Sequence, residues 1–465
     1  MNMINVRRLT VMTFLGAGML SGISAQVSPL QVDTLKETKI PDQWDLQSCI
    51  DYAKEQNITI RKNRITAAST QIDVKTAKAA LFPSLSFSTG HQVVNRPYQE
   101  TSSRVSGSEI ISSNSKTSYN GNYGLNASWT LYNGNKRLKT IQQEKLNNQM
   151  AELDVATSEN NIQESIAQVY IQILYAAESV KLNENTLQVS IAQRDRGQEL
   201  LNAGSIAKSD LAQLEAQVST DRYQLVTAQA TLEDYKLQLK QLLELDGENE
   251  MNIYLPALSD ENVLAPLPTK RDVYISALSF RPEIEASKLN VEASELGINI
   301  AKSSYFPTIS LSAGIGTNHT SGSDFTFGEQ VKNGWNNSIG LSVSVPIFNN
   351  RQTKSAVQKA KLQYETSMLS LLDEQKALYK TIESLWLDAN SAQQRYAAAN
   401  EKLKSTQISY ELISEQFNLG MKNTVELLTE KNNLLQAQQE QLQAKYMAIL
   451  NTQLLKFYQG DQLAL

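Results

Sequence analysis

Hydrophobic and polar residues change their spacing at two similar places in the chain, Phe82-Pro83 and Phe306-Pro307. Before each pair, apolar residues recur three and four positions apart, which predicts an amphipathic helix. After each pair, apolar and small polar residues alternate, which predicts a strand with two unlike faces. Proline ends the helical pattern because it lacks a backbone N–H and disfavours helical dihedrals in the preceding residue. The two junctions lie 224 positions apart and predict a duplicated helix-to-strand unit.

Four segments with this alternation predict strands at about 84–95, 121–132, 308–318 and 337–348. Each segment places apolar residues on one face and mainly small polar residues on the other. A strand that crosses a membrane needs about 9 to 11 tilted residues, so these lengths favour a membrane β-barrel. A water-soluble sandwich with one buried face would show the same alternation and stays an alternative here.

Proline is absent from two long windows, between Pro97 and Pro256 and after Pro346. Within them, helical patterns run over about 135–201 and about 350–419, so each helix would be about 100 Å long at 1.5 Å per residue. Apolar residues recur at near-heptad spacing among many Gln, Ala, Glu and Lys, which is typical of coiled-coil packing. The patterns therefore predict helices far longer than one globular core.

Each long helical pattern is followed by a glycine turn and a second helical pattern. Gly204 and Gly420 lie 216 positions apart, where a left-handed glycine is expected to end the helix. The returning helices are predicted over about 206–245 and about 423–458. Two helical hairpins are therefore expected, one in each half of the chain.

The first residues have the layout of a secretory signal peptide. Arg7 and Arg8 precede an apolar stretch, and small residues around Ala25 offer a cleavage site. This stretch is too short to span a bilayer, and no later run reaches the roughly 18 apolar residues that a membrane helix needs, so any crossing is expected to use strands. The predicted organisation is a signal peptide (1–25), a leader (26–43), a first repeat of helices, strands and a hairpin (44–245), a connector (246–271), a second such repeat (272–459) and a C-terminal tail (460–465).

Composition and charge argue against several classes of function. The net charge is -5, and basic residues are scattered among acidic ones, so no nucleic-acid partner is indicated. The single cysteine, Cys49, excludes an internal disulfide framework and a multi-cysteine metal site. His91 and His319 are isolated, and the segment 297–303 lacks the second glycine of a phosphate loop. No catalytic, cofactor or metal site is predicted, so energy for any transport has to come from another protein.

The chain resembles the TolC-like outer-membrane efflux family in the order and spacing of these features. The similarity rests on the signal peptide, the duplicated Phe-Pro junction, the paired glycine turns, and the segments Leu131-Tyr132-Asn133 and Ile347-Phe348-Asn349. It implies a mainly α fold with a membrane β part and a two-fold internal repeat. Each protomer of a homotrimer would supply four strands to one shared trans-outer-membrane β-barrel and long helical hairpins to a periplasmic α-barrel. An oligomer is also expected on physical grounds, because four strands cannot close a barrel and an open edge in lipid leaves backbone groups unpaired.

The resemblance implies a passive export channel in the outer membrane of a Gram-negative bacterium, with a large periplasmic part. It would conduct small molecules or peptides within a tripartite efflux or type I secretion system. Its partners would be outer-membrane lipid, a periplasmic adaptor protein and an inner-membrane transporter, with no cofactor and no nucleic acid. Two alternatives are a nonconducting structural coiled coil in the periplasm and a periplasmic adaptor, neither of which requires paired long strands.

The resemblance also assigns residues to a gate at the periplasmic entrance. In the family, a basic residue follows the second glycine turn by two positions, and acidic residues follow it by six and nine. Those positions hold Lys422, Glu426 and Thr429, so Thr429 departs from the acidic pattern. The partners of the basic residue fall on Ser209 and Asp210, and a latch between Lys422 and Asp210 is expected. A ring of Glu426 carboxylates would attract cations.

The helix-turn tips are expected to contact the adaptor. Ala203 and Gly204 form the first tip, and Leu419 and Gly420 form the second. The paired turns at the ends of the two predicted hairpins motivate this hypothesis.

Overall fold

The structure is a computed structural model that describes residues 41–98, 102–106, 109–113, 116–246, 251–256, 263–321, 323 and 325–463, with backbone alone for 102–106 and 109–113. The predicted signal peptide, most of the predicted leader and part of the predicted connector lie outside these residues. The chain divides into two compact units, and the unit 43–465 is the one described below.

Long helices dominate the described part of the chain. The helices are α1 (Leu46–Gln56), α2 (Ile58–Ala79), α3 (Lys136–Asn202), α4 (Lys208–Leu242), α5 (Lys270–Phe280), α6 (Pro282–Ser303), α7 (Phe327–Asn333), α8 (Gln352–Asn418) and α9 (Thr424–Gln459). The strands are β1 (Ser84–Asn95), β2 (Ser102–Ser106), β3 (Glu109–Ser113), β4 (Thr117–Asn133), β5 (Thr308–Thr320) and β6 (Asn336–Ser344). Helices α3 and α8 have 67 residues each. At 1.5 Å per residue each is about 100 Å long, as predicted.

The two halves of the chain repeat the same elements at fixed offsets. Helices α1 and α2 begin and end 224 positions before α5 and α6. Helix α3 begins and ends 216 positions before α8, and α4 begins 216 positions before α9. The offset changes by eight residues between the first strand of each half and the long helix that follows. This confirms the predicted two-fold repeat.

Different residues start the matching helices of the two halves. The side chain of Asn57 accepts hydrogen bonds from the backbone N–H groups of Thr59 (2.9 Å) and Ile60 (3.4 Å), which caps α2. In the second half, Pro282 occupies the first position of α6, where a backbone N–H would have no partner within the helix. Asn57 thus gives acceptors to N–H groups that have no partner within the helix, and Pro282 has no N–H that needs one.

The chain changes from helix to strand at both Phe-Pro pairs. Phe82 and Phe306 are 73% and 51% exposed. Gly134, in the turn between β4 and α3, packs against the second junction. A Cβ atom there would lie 2.6 Å from the carbonyl oxygen of Ser303, and the φ of Gly134 is 67°. Glycine is therefore required at the contact between the two repeats.

Strands β1, β4, β5 and β6 form one antiparallel sheet in that order, and β2 pairs with β3. Trp129 lies opposite Leu311, which in turn lies opposite Leu341, so apolar residues share one face. The exposed apolar residues of that face include Leu85, Phe87, Leu125, Trp129, Ile315, Ile339, Leu341 and Val343. The opposite face carries Ser84, Ser86, Ser88, Asn126, Ser128, Ser310, Ser312 and Ser342. One face of the sheet thus suits lipid and the other suits water.

The strands differ from the predicted boundaries in a few places. Strand β4 begins at Thr117, four residues earlier than predicted, and β6 ends at Ser344, earlier than the predicted 348. Pro346 explains the second difference, because it has no N–H to donate to a neighbouring strand. The segments between the two predicted strands of each half contain the β2–β3 pair and α7.

The buried core lies in the helical part. The largest cluster joins α1, α3, α4 and α9 around Trp44, Tyr170 and Leu239, and a second joins α5, α6 and α8 around Val273 and Ile382. Cys49 lies in the first cluster, where burial raises the pKa of its thiol to about 12, with a smaller effect from Asp45. Within the described ranges, no helix is long and apolar enough to cross a membrane.

Candidate functional site at the hairpin tips

The two helical hairpins end in glycine turns of the same geometry. Gly204 has a φ of 77° and Gly420 a φ of 74°, in the left-handed region that glycine adopts without strain. The N–H of Ser205 donates to the carbonyl oxygen of Leu200 at 2.8 Å, and the equivalent bond of the second turn is also 2.8 Å long. Such a bond satisfies a carbonyl that the helix end leaves free.

Apolar residues lie both inside and outside these tips. Leu200, Leu214, Phe417 and Leu427 form a buried cluster that joins the first hairpin to the second. On the outside, Leu419, Met421 and Val425 are 75%, 71% and 57% exposed, and Ala203 is also exposed. The tips of the two repeats therefore pack side by side and present apolar side chains outward.

Lys422 and Glu426 contact each other within the second hairpin. Their Nζ and Oε1 atoms are 2.5 Å apart. The carboxylate of Glu426 also accepts from the N–H of Asn423 at 3.2 Å, and Asn423 accepts from the N–H of Glu426 at 2.9 Å. The bond from Lys422, and then the bond from Asn423, lower the pKa of Glu426. Glu426 is therefore charged and held at the first turn of α9.

The other predicted gate residues lie near the tips but do not form the predicted latch in this protomer. The carboxylate of Asp210 accepts from the N–H of Ala207 at 3.0 Å, at the start of α4. Thr429 donates to a carbonyl oxygen of its own helix at 2.8 Å, and Ser209 is exposed. Among the described residues, Lys422 and Asp210 thus each bond to a group of their own hairpin. A contact between them in neighbouring copies stays a prediction.

A buried ion pair that the sequence did not predict joins the two hairpins. Lys431 of α9 contacts the carboxylate of Asp221 in α4 and the hydroxyl of Ser190 in α3, and Ser190 donates to the same carboxylate. Only 4% of the Lys431 side chain and 2% of the Asp221 side chain are exposed. Burial lowers the pKa of Lys431, and Asp221 opposes this shift. We refer to Ser190, Asp221 and Lys431 as the buried ion-pair cluster.

The sequence does carry a signal for this cluster. Lys431 lies four residues after Leu427 and three before Leu434, in a stripe that is otherwise apolar. Asp221 interrupts a similar stripe three residues after Val218. A charge at a coiled-coil core position is costly unless it is paired, so two such interruptions indicate a partnership.

Comparison with known proteins identifies the family. A model of the outer membrane efflux protein family matches residues 49–244 and 273–460, which is most of the chain. The chain belongs to this family. It is 24% identical over 294 residues to outer membrane efflux protein BepC of Brucella suis, a match that covers 63% of this chain and 61% of BepC. It is also 24% identical to outer membrane protein TolC of Escherichia coli, covering 61% of this chain and 58% of TolC.

The matches to these two relatives span about 60% of their lengths. A crystal structure of CusC superposes on this chain with a TM-score of 0.76 and 19% identity, covering 90% of this chain and 92% of CusC. This efflux-family chain therefore shares the CusC fold across nearly its whole length.

Both histidines of this efflux-family protein lie in an aromatic cluster of the sheet, outside the tips. The hydroxyl of Tyr119 is 2.7 Å from the Nδ1 of His91, and the rings of Tyr119 and His319 meet edge to face with centroids 5.7 Å apart. Among the side chains that the structure describes, no group of three or more His, Cys, Asp or Glu residues is arranged to hold a metal ion.

Proposed function

We propose that this protein is a passive outer-membrane export channel that acts as a homotrimer. The observation that carries the proposal is the combination, in one protomer, of a sheet with an exposed apolar face and two helical hairpins whose longer helices are each about 100 Å long. The apolar face suits the hydrocarbon core of a membrane. The hairpins suit a duct that extends from that membrane into the periplasm.

The sheet topology supports assembly from several copies. Within the described residues, β1 and β6 are the outer strands of the four-stranded sheet and each has one neighbour. An unpaired strand edge in lipid is costly, because its N–H and C=O groups find no water. Pairing β1 of one copy with β6 of the next removes both edges. The number three follows the resemblance to the family.

The face opposite the apolar one supports a wide range of cargo. Serine dominates this face, for example at Ser86, Ser128 and Ser342. The described residues of this face around these serines carry no charge. Such a lining permits hydrated solutes of unrelated shape. The proposed cargo is therefore small molecules or peptides, and BepC, which this chain resembles, is itself an efflux protein.

Selection of cargo and the supply of energy are assigned to partners. The exposed Leu419, Met421 and Val425 at the tips support docking of a periplasmic adaptor, which in turn would connect to an inner-membrane transporter. This chain is not proposed to catalyse a reaction. The adaptor alternative explains the hairpins but gives no role to the apolar sheet face, and the structural coiled-coil alternative has the same weakness.

The gate proposal places Glu426 at the narrow end of the duct. Its lowered pKa keeps it ionised, and copies around an axis would form a ring that attracts cations. Lys422 lies against Glu426 in each copy and reduces the net charge of the ring. A contact from Lys422 to Asp210 of a neighbouring copy would close the ring further.

A liposome experiment tests the channel proposal. The full-length protein is reconstituted into liposomes that contain a small fluorescent solute, with protein-free liposomes as the control. We expect the solute to leave down its gradient without an energy source. Retention of the solute by liposomes that contain assembled oligomers would overturn the proposal.

A further inference from the structure

Exposed basic side chains gather where four helices meet the sheet. Helices α2 and α6 end there, and α3 and α8 begin there. Within about 6 Å of these helix ends, at 1.5 Å per residue, the exposed basic side chains come from all four helices. They are Lys75 and Lys78 of α2, Lys136 of α3, Lys302 of α6, and Arg351 and Lys354 at the start of α8. We refer to these residues as the basic collar.

No acidic residue balances the collar in these helix ends. The nearest acidic residues of the four helices are Asp73, Glu144, Glu295 and Glu365, which lie about 9 Å or more from the ends. Strands β1, β4, β5 and β6 contain no Asp or Glu. Within the described ranges, no side chain of the collar forms an ion pair. The positive charge of the collar is therefore not neutralised within the protomer.

The charges at the starts of α3 and α8 oppose the usual pattern of a helix. A helix N-terminus carries partial positive charge, so acidic residues are favoured in its first turn and basic residues are not. Helices α4, α5, α6 and α9, which begin away from the sheet, each have an acidic residue there. Helices α3 and α8 have none, and neither N-cap side chain bonds to its helix. Lys136, Arg351 and Lys354 thus add positive charge to helix ends that are already positive.

The basic residues at the ends of α2 and α6 have a local explanation in part. Lys78 and Lys302 lie in the last turns of these helices, where a basic side chain complements the partial negative charge. The starts of α3 and α8 are therefore the positions that point to an anion from outside the chain.

An exposed apolar belt lies next to the collar. Phe82 precedes β1, Tyr305 and Phe306 precede β5, and Ile347 and Phe348 follow β6. These five side chains are between 51% and 96% exposed. Aromatic residues at the edge of the hydrocarbon, followed by Lys and Arg towards water, are typical of a membrane interface. The headgroup region extends about 5–7 Å beyond the hydrocarbon core, so the collar lies at the depth of the lipid phosphates.

In the oligomer of the proposed function, on which this step rests, the collar continues across the seam between copies. Helix α2 leads into β1 and α8 follows β6, and these are the outer strands of the sheet. Pairing β1 of one copy with β6 of the next brings Lys75 and Lys78 of the first towards Arg351 and Lys354 of the second. Like charges then face each other, and an anion between them removes the repulsion.

We propose that the basic collar binds the phosphate groups of anionic phospholipids in the periplasmic leaflet of the outer membrane. Lys75 and Lys78 of one copy and Arg351 and Lys354 of the next hold one headgroup across each seam. A phospholipid fits this surface better than a soluble anion does, because the adjoining apolar belt contacts its acyl chains. A basic residue near an anionic membrane surface contributes about fivefold in affinity.

Spin-labelled lipids test the proposal. The full-length oligomer is reconstituted into phosphatidylcholine vesicles with a trace of spin-labelled phosphatidylglycerol or phosphatidylcholine. Electron paramagnetic resonance then measures how much of each labelled lipid the protein immobilises. The collar variant is K75Q/K78Q/R351N/K354Q, with asparagine at 351 because the φ there is 66°. The matched control, K181Q/K208Q/R222Q/K404Q, removes the same charge from exposed positions farther from the sheet.

We expect the natural protein and the control to prefer phosphatidylglycerol by about fivefold or more, and the collar variant to lose most of this preference. The preference should also fall as salt is raised, because exposed charges are screened. Equal immobilisation of the two lipids by the natural protein, or an undiminished preference in the collar variant, would overturn the proposal. Inorganic phosphate that displaces the labelled phosphatidylglycerol more than chloride does at equal ionic strength would assign the site to a soluble anion and also overturn it.

A second variant covers the case in which the collar variant fails to assemble. K136Q/K302Q leaves the residues of the seam in place and should lose part of the preference. Loss of oligomers from the collar variant on native gels, together with a full preference in K136Q/K302Q, would assign the seam residues to contacts between copies and overturn the proposal. Failure of the proposed function is seen separately, as vesicles that retain an enclosed solute, since the lipid preference is measured without transport.

Discussion

Lys431→Met removes one charge of the buried ion-pair cluster and leaves the other, Asp221, in place. Methionine matches the length of the lysine stem and suits the neighbouring leucines, so little packing is lost. Asp221, which is 2% exposed, would keep its bonds to Ser190 and Gln217 but lose its counter-charge. Breaking a buried pair in this way typically costs about 3–5 kcal/mol. We expect a loss of that size in the free energy of unfolding.

The double variant Lys431→Met with Asp221→Leu separates charge from packing. Removing both desolvated charges is commonly neutral or stabilising by about 1–4 kcal/mol. Ser190 and Gln217 then lack an acceptor, which costs about 1–3 kcal/mol each. The double variant should therefore be more stable than Lys431→Met alone.

An exposed ion pair of the second hairpin provides the control. Lys402 and Glu440 are 2.8 Å apart and both side chains are 42% exposed. Lys402→Met should cost no more than about 1 kcal/mol, because exposed pairs contribute little. Guanidinium unfolding of the purified protein, followed by circular dichroism, measures all three variants. A loss for Lys431→Met no larger than for Lys402→Met would refute the reasoning.

Three further predictions concern the membrane face, the gate and the tips. Val343→Arg should reduce trimer assembly, because it places a charge in hydrocarbon at a cost of about 2–4 kcal/mol. Ser342→Arg, on the opposite face, should be tolerated. Equal loss of trimer from the two variants on native gels would favour the soluble-sandwich alternative. Glu426→Gln should lower cation selectivity in bilayer recordings. Because the folded state lowers the pKa of Glu426, its stabilising effect is present above the unfolded-state pKa and lost as the pH falls through the folded-state pKa. Unfolding of the Gln variant should lack this pH dependence, and an unchanged profile would be evidence against the contact with Lys422. Photo-crosslinkers at Ala203 and Leu419 should capture a periplasmic adaptor in cells, and their failure to do so while transport is intact would exclude tip docking.

The long helices were predictable because local chemistry determines their ends. Helix α8 was predicted over about 350–419 and runs from Gln352 to Asn418. Absence of proline lets the helix continue, and Gly420 ends it with a left-handed residue. The repeat was predictable for a related reason, since each Phe-Pro junction is encoded within a few residues.

Helix α7 was missed although its start is readable. Thr326 and Glu329 form a reciprocal capping box, in which the N–H of Thr326 donates to Glu329 at 2.8 Å. The motif of a threonine followed three residues later by a glutamate is a known helix start. The surrounding segment is rich in Ser, Asn and Gly, a composition that is typical of loops and predicts no helix there.

The ion-pair cluster could not be assembled from the sequence. Lys431 and Asp221 lie on helices of different hairpins, and their contact depends on the axial register between those hairpins. Heptad spacing identifies the inward positions but leaves this register undetermined. The predicted Lys422–Asp210 latch also depends on the register between hairpins. Within the protomer, Lys422 instead contacts Glu426, and Asp210 accepts from the N–H of Ala207.

Single-channel recording in planar bilayers tests the central claim most directly. The purified oligomer is added to one side of a bilayer without an energy source, and Val343→Arg serves as the assembly-deficient control. We expect stepwise, lasting currents for the natural protein, with cations preferred, and none for the control. Correctly assembled oligomers that insert into the bilayer and carry no current would contradict it.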